Sequence, residues 1–309
     1  MKTIGATGDM ALAKRKRQQS ERWNIFLFLA PAMSVYLLYN VYGIMRTFFY
    51  STMRWTGLSP KMDFIGLDNF LRLFQDKNIW RALSHNLILV VVSIIVQLAF
   101  GLILALIVNQ KIRGSKFLRT VYFMPMLLST VATSLFWILM FDPYFGFVNN
   151  ALDAVGLGAW KQSWLGNERI VFSSILFVVC WQYTPQYMIL LRAGLTNIPG
   201  DVYEASTIDG ASKYQQFWRI TLPLLMPTMR TAAVLALVGS LKSFDLVYVM
   251  TLGGPNGATE LLATYMYKKG FSESNMGYAS AVSVFMFVVS LAMVIIFQFS
   301  TTRKEAEQE

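Results

Sequence analysis

Charge is what this sequence has least of. Only 14% of its 309 residues are Asp, Glu, Lys or Arg, where a soluble domain carries about 25%. That is too little to wet a globular surface, and an ordinary soluble enzyme is excluded. One cysteine, Cys180, and one histidine, His85, are present. A lone cysteine cannot form an intrachain disulfide, so a disulfide-stapled secreted domain is excluded, and the pair cannot build a zinc site. The dipeptide Gly-Lys does not occur, so the chain cannot hold nucleotide by a P-loop. A membrane enzyme would need a nucleophile–base pair or a metal cluster in its apolar segments, and one histidine with one cysteine supplies neither. No catalytic residue, metal site or cofactor is therefore expected in this chain.

Apolar residues, by contrast, make up 55% of the chain and aromatics 15%, which excludes disorder. The net charge of +10 fits a nucleic-acid binder by number alone. Such a binder has a hydrated surface, however, and here the charges are parted by long charge-free runs. A helix rises about 1.5 Å per residue, so about 20 apolar residues span the hydrocarbon core. Runs of that kind occupy residues 25–45, 87–108, 120–141, 170–191, 222–250 and 276–300, the fifth interrupted by Arg230, Lys242 and Asp245. The expected architecture is all-α: a polytopic membrane protein with six transmembrane helices over residues 24–300, a tail of residues 1–23 and a tail of residues 301–309.

Six spans put both termini on one side, and the bias of Lys and Arg names the side. The two tails and the connections between spans two and three and spans four and five carry fifteen; the opposite loops carry eight. Both termini are expected to be cytoplasmic, so the positive excess is an orientation signal for the insertion machinery and anionic lipid, with no nucleic acid among the partners. The cluster Lys14–Arg17 ahead of the first run also suits a secretory signal, but a signal's apolar core is about 7–15 residues. The first run exceeds 20 residues, and a retained span is expected.

Two connections are too long to be turns. The outer one, residues 50–86, contains Leu67-Asp68-Asn69-Phe70-Leu71-Arg72-Leu73-Phe74, whose spacing suits a short helix in the membrane interface or, equally, a solvated loop helix. The inner one, residues 193–221, is the more specific. Pro199-Gly200 stops the preceding helix. Asp201, with Glu204 three residues on, suits a capping box, and Val202, Ala205 and Ile208 recur at helical spacing. Gly210 ends that helix, a second runs over residues 212–219, and Pro223 opens the next span. Residue spacing alone gives a helix–turn–helix on the cytoplasmic face, or a capped connector with Glu204 as its cap.

The combination Glu204-Ala205-Ser206, Asp209-Gly210-Ala211, Phe217 and Ile220-Thr221-Leu222-Pro223 resembles the EAA loop of ABC importer permeases, with Ser206 in place of an alanine. Phe64–Phe70, Tyr144–Asn149 and Phe244–Pro255 resemble recurrent segments of the carbohydrate-uptake branch, in the subunit type related to maltose and glycerol-phosphate permeases. The resemblance covers all but the N-terminal residues 1–23 and the C-terminal tail. It implies a type I importer permease whose loop is a coupling helix for a cytoplasmic ATPase, with Tyr203, Glu204, Ala205, Asp209, Gly210 and Ala211 as coupling positions. Glu204 would be the acidic residue that meets the ATPase, and Gly210 the bend where a side chain would block docking. The implied partners are a second homologous permease, a dimer of ABC ATPase subunits that binds the ATP and magnesium, an extracytoplasmic solute-binding protein and a carbohydrate, in the bacterial inner membrane. A stand-alone secondary transporter is the other class, though such proteins show repeated halves and often intramembrane carboxylates. Here Asp245 is the one acidic residue inside a run.

Polar residues inside spans usually face a cavity or the bundle interior. The fourth run carries Trp181-Gln182-Tyr183-Thr184-Pro185-Gln186-Tyr187, where Pro185 can interrupt the helix and aromatics lie beside amide and hydroxyl groups, as sugar recognition requires. The resemblance puts Trp181, Tyr183 and Gln186 at substrate-contact positions, and in the fifth run Gly239, Ser240 and Ser243, whose types differ from the maltose protein. Packing aromatics and small residues at a helix contact are the competing reading. Lys242 and Asp245, at i and i+3, are expected to pair on one helix face; Arg46 and Arg230 are expected to snorkel, and His85 to sit at the interface.

Overall fold

A computed structural model describes residues 23–110 and 114–306, with residues 115, 116 and 301–306 described by their backbone alone. Most of the basic N-terminal tail, Lys111, Arg113 and the end of the C-terminal tail lie outside the described residues. The first helix, α1 (Trp23–Ser51), is followed by the two-residue antiparallel strands β1 (Met53–Arg54) and β2 (Asp63–Phe64), with Met53 opposite Phe64. Then come α2 (Asp68–Gln75), α3 (Lys77–Asn109), α4 (Ser115–Leu127), α5 (Thr130–Met140) and α6 (Phe147–Ala154). The second half holds α7 (Val171–Thr196), α8 (Gly200–Ile208), α9 (Lys213–Leu241), α10 (Asp245–Thr251), α11 (Leu262–Tyr267) and α12 (Met276–Ala306).

Five of these helices, α1, α3, α7, α9 and α12, are long and apolar enough to cross a membrane. The third expected span is different: α4 and α5 meet at 98°, and only as a bent pair do they make a sixth. Pro125 removes a backbone donor within α4, Leu128 is extended, and the Ser129 hydroxyl caps α5 by accepting from the Ala132 amide at 3.2 Å. The fifth span is also redrawn. Its helix begins at Lys213 in the inner connection, runs through a wide turn at Phe217–Thr221, and stops at Leu241. Residues 242–244 break it, so Lys242 and Asp245 share no helix face and are not paired.

Conversely, α7, which Pro185 can interrupt, is continuous over Val171–Thr196, and its neighbours pack tightly on it. A side chain on Gly101 of α3 would meet Tyr187 Cβ at 2.9 Å and the Met188 amide nitrogen at 3.2 Å. One on Gly194 would meet Leu225 and Thr228 of α9 at 2.7 Å. Small residues thus let α3, α7 and α9 approach closely, as membrane helices do when no water drives them together. The buried core follows this axis: Leu89, Ile175, Val178, Leu246, Val247 and Leu261 form one cluster, and Val108, Met188, Leu191 and Leu225 belong to a second nearer α8. By contrast α1 is a flank. None of its most apolar stretch is buried among the described residues, and its second half packs on α12.

Away from α8, buried amides tie the loops. Asn69 donates to the carbonyls of Ser51 and Met53 at 2.8 and 2.9 Å, anchoring α2 to β1, while Leu73 buries fully beside Ile79, Tyr265 and Tyr278. The α2 helix is therefore built into the bundle's end rather than lying loose. Asn149 donates to Pro143 and Gln162 carbonyls and accepts from the Gln162 amide and the Trp164 indole, at 2.8–3.3 Å. Asn86 accepts from the Leu262 amide at 2.9 Å and donates to the Ser240 carbonyl at 3.3 Å, joining α3, α9 and α11.

Candidate functional site

The α8 elbow is built from short-range rules. Pro199 is extended and precedes the first helical residue, Gly200, with no side-chain cap. Asp201 therefore sits inside the first turn, where a carboxylate favours the helix dipole, instead of capping with Glu204 as the sequence suggested. At the other end Gly210 has φ of +79°, its amide bonds the Thr207 carbonyl and the Ala211 amide bonds the Ser206 carbonyl, at 3.1 and 2.9 Å. These are the paired bonds of a Schellman ending. The capping box belongs to the next helix: Ser212 accepts from the Gln215 amide, and Gln215 accepts from the Ser212 amide at 2.8 Å. That S-x-x-Q pattern was legible in the chain.

The two helices of the elbow are tied by polar groups the sequence reasoning missed. Gln216, only 3% exposed, donates from Nε2 to Ser206 Oγ and Thr207 Oγ1, each at 2.9 Å. Tyr203 and Thr221 share a hydroxyl–hydroxyl bond of 2.9 Å. The inward face of α8 is thus polar. Its apolar stripe faces out: Val202 and Ala205 are exposed, and Ile208 is 87% exposed, with Glu204 and Asp209 also in solvent. Burying the polar face and presenting the apolar one inverts the usual surface helix. Among the described residues, a Cβ on Gly210 would meet no atom beyond its own chain neighbours within 4 Å.

The expected pathway residues divide between faces of α7. Trp181 stacks on Phe136 at 6.3 Å and lies edge-on to Trp137 at 5.4 Å. It lines two neighbouring apolar cavities of about 920 and 670 Å³, walled by residues such as Phe100, Tyr122, Phe136 and Phe177. Tyr183, two residues on, packs on the cluster that holds Leu98 of α3 and Ala232, Ala233 and Ala236 of α9, and also on the cluster around Val179 and Leu246. Gln186 is half-buried one turn beyond Tyr183. On α9, Gly239 is exposed, and among the described residues no atom beyond its own chain neighbours and helix backbone lies within 4 Å of a would-be Cβ. Ser240 is buried under Asn86, and Ser243 is half-buried in the break before α10. Trp181 therefore stands apart from the Tyr183 and Gln186 face.

Beyond these, the far end of the bundle carries the charged groups. His85 sits over Phe172 at 4.7 Å with Nδ1 donating to the Glu260 carbonyl at 2.9 Å. Arg46 of α1 bonds the Tyr50 hydroxyl and lies 4.6 Å over its ring, an aromatic seat where a free snorkel was expected. The Asp76 side chain accepts from the Asn78 amide at 3.0 Å, from the Tyr278 hydroxyl at 2.8 Å and from the Tyr265 hydroxyl. Burial pushes its carboxyl up, but the two phenols, the Asn78 amide and the Lys269 charge outweigh it and hold the group below the usual carboxylate range.

The chain matches the family described as binding-protein-dependent transport system inner membrane component over residues 97–305. It is 37% identical to the probable ABC transporter permease protein YurN of Bacillus subtilis, across 91% of this chain and 97% of that one. It is 35% identical to the trehalose/maltose transport system permease protein MalF of Thermococcus litoralis, across 88% and 91%. Its fold is that of a chain in the crystal structure of a bacterial alginate ABC transporter in complex with an alginate pentasaccharide-bound periplasmic protein. That likeness has a TM-score of 0.82, 23% identity and coverage of 93% and 96%.

Proposed function

The chain belongs to the family of binding-protein-dependent transport system inner membrane components, and from that premise we propose that it is the permease subunit of an ATP-driven carbohydrate importer. Membership sets aside the stand-alone secondary transporter. The observation that carries the reading is the inverted α8, whose exposed Val202, Ala205 and Ile208 stripe, flanked by Glu204, Asp209, Gly210 and Ala211, suits the groove of a cytoplasmic ATPase. The subunit is non-catalytic: ATP and its magnesium belong to an ATPase dimer on that side, which puts both termini in the cytoplasm. A second homologous permease completes the pathway, and an extracytoplasmic binding protein delivers the sugar at the opposite end.

The geometry supports a mechanical route. Closure of the ATPase dimer pushes on α8, and α9 carries the push because it is one helix of 29 residues, about 43 Å at 1.5 Å per residue. Its far end holds Gly239 and Ser240, with Ser243 in the break just beyond; Tyr183 and Gln186 share one face of α7, and Trp181 offers an aromatic plane on the opposite face. Sugars show apolar ring faces and hydroxyl edges, which aromatic, amide and hydroxyl groups match. The relatives whose names carry trehalose, maltose and diacetylchitobiose support an oligosaccharide substrate. Alternating access then follows as a linkage: whatever state of the cavity the loaded binding protein favours, the closed ATPase dimer favours too.

A cysteine at Ile208 in a Cys180→Ser background tests the docking. Photo-crosslinking in native membranes should join it to an ATPase polypeptide, whereas a cysteine at Trp160, exposed on the opposite loop, should give no such product. Equal crosslinking from both, or none from Ile208, overturns the reading.

A further inference from the structure

Gly210 leaves a hinge where the proposed push enters the membrane domain. Residues 209–212 are the covalent link between α8 and α9, and a glycine in the left-handed region is the joint that bends at least cost. A push on α8 would be spent at such a hinge unless other contacts made the elbow rigid. Two contacts do so, one near each end of α8. Gln216 reaches back from α9 to Ser206 and Thr207, and Tyr203 reaches forward to Thr221.

The orientation of the Gln216 amide is settled by its neighbours. Lys213 Nζ, which can only donate, bonds Oε1 at 3.0 Å, so Nε2 faces the two hydroxyls. Both hydroxyls already donate to the Tyr203 carbonyl at 2.8 Å and therefore accept from Gln216. Every member of the knot thus has a partner, and Ser206 and Gln216 are both buried. The Ser206 hydroxyl gives Gln216 one of its two anchors. The same residue stands immediately before the wide turn at Phe217–Thr221, where the helix backbone is loosest and needs an external tie.

Resting on the coupling role above, we propose that Gln216 is a positioning residue that locks α8 to α9 across the Gly210 hinge, so that the elbow turns as one body and the stroke of the ATPase reaches the far end of α9.

Gln216→Leu is the informative variant because it keeps the volume and strands no buried donor: Ser206 and Thr207 retain their bonds to Tyr203, and Lys213, which loses its Oε1 partner, is exposed to solvent. The assembled complex of this chain, its partner permease and the ATPases is placed in lipid vesicles in a Cys180→Ser background, with spin labels in pairs. One pair, at Asp201 and Tyr214, reads the elbow; the other, at Ile103 and Leu235, all four exposed, reads α9 against α3. The ATPase dimer is closed with magnesium ATP and vanadate. In the parent, trapping should shift the α9–α3 distance and leave the elbow distance unchanged. In Gln216→Leu the elbow distribution should broaden at least twofold and the α9–α3 shift should fall by half or more, with the complex still co-purifying. Tyr203→Phe, which removes the second tie, should broaden the elbow less, and the double variant more than either. An unbroadened elbow and an undiminished α9 shift in Gln216→Leu overturn the proposal. A parent that shows no α9 shift at all overturns the coupling reading beneath it instead.

Discussion

Replacing Gly210 separates two reasons for a glycine at the elbow. The first is backbone conformation: φ is +79°, a region that costs a residue with a Cβ about 1–2 kcal/mol and that asparagine tolerates better. The second is clearance for a docked partner, which the resemblance to EAA loops implies. Among the described residues a Cβ there meets nothing beyond its chain neighbours within 4 Å, so Gly210→Ala carries the conformational cost and no clash with them. At about 1 kcal/mol the Schellman ending opens about five times more often, and at 2 kcal/mol about thirty times. Hydrogen exchange of the Gly210 and Ala211 amides, whose bonds to Thr207 and Ser206 close that ending, reads this directly. The alanine variant should exchange about 5- to 30-fold faster and the asparagine variant only about twofold. If alanine leaves exchange unchanged, or asparagine accelerates it more than alanine, the conformational argument is wrong. Coupled activity then gives the second reason separately: a clearance requirement ranks asparagine below alanine, a backbone requirement ranks it above.

Three further outcomes follow from the packing. Gly101→Ala should destabilise the purified chain by about 1–3 kcal/mol, read as a lower melting temperature in detergent, because a Cβ would press on the backbone of Met188, which cannot yield as a side-chain tip can. Asn69→Leu strips the Ser51 and Met53 carbonyls of their buried donor and should cost about 1–3 kcal/mol, with proteolysis newly detectable between β1 and α2. Asp76 has a lowered pKa in the fold; its clamp therefore stabilises fully above the unfolded value of about 3.9 and is lost as pH falls through the lower folded value. Melting scanned from pH 7 down should lose this contribution only below about pH 4, and Asp76→Asn should be less stable at neutral pH with that acid step flattened.

Most of the spans were legible because the thickness of the hydrocarbon core sets a length that composition alone reveals. What hydropathy could not see was where an apolar run stops being one helix. Residues 120–141 read as continuous, yet Pro125 and the Ser129 cap fold them through a right angle; Lys242 and Ser243 end α9 inside another apolar run. In the elbow, Gly210 and the general helix–turn–helix were readable from punctuation. The Gln216 tie was not, since it depends on the angle at which α8 returns across α9 rather than on any periodicity. The division of Trp181 from Tyr183 was within reach: residues two apart on a helix lie about 200° apart, so the two face different sides of α7. The buried Asn69 and Asn149 give a physical reason for the segments around them that resemble the carbohydrate branch, since each amide holds a loop no apolar residue could hold.

Uptake into vesicles tests the central claim most directly. Vesicles carrying this chain and its partner permease, with or without the ATPase dimer, are offered a panel of labelled oligosaccharides that includes maltose and trehalose, together with the loaded binding protein. Accumulation should require the ATPase and internal ATP, and a Glu204→Ala change in the exposed α8 surface should reduce it severalfold while leaving the vesicles' content of the chain unaltered. Accumulation that persists with the ATPase omitted would contradict the account.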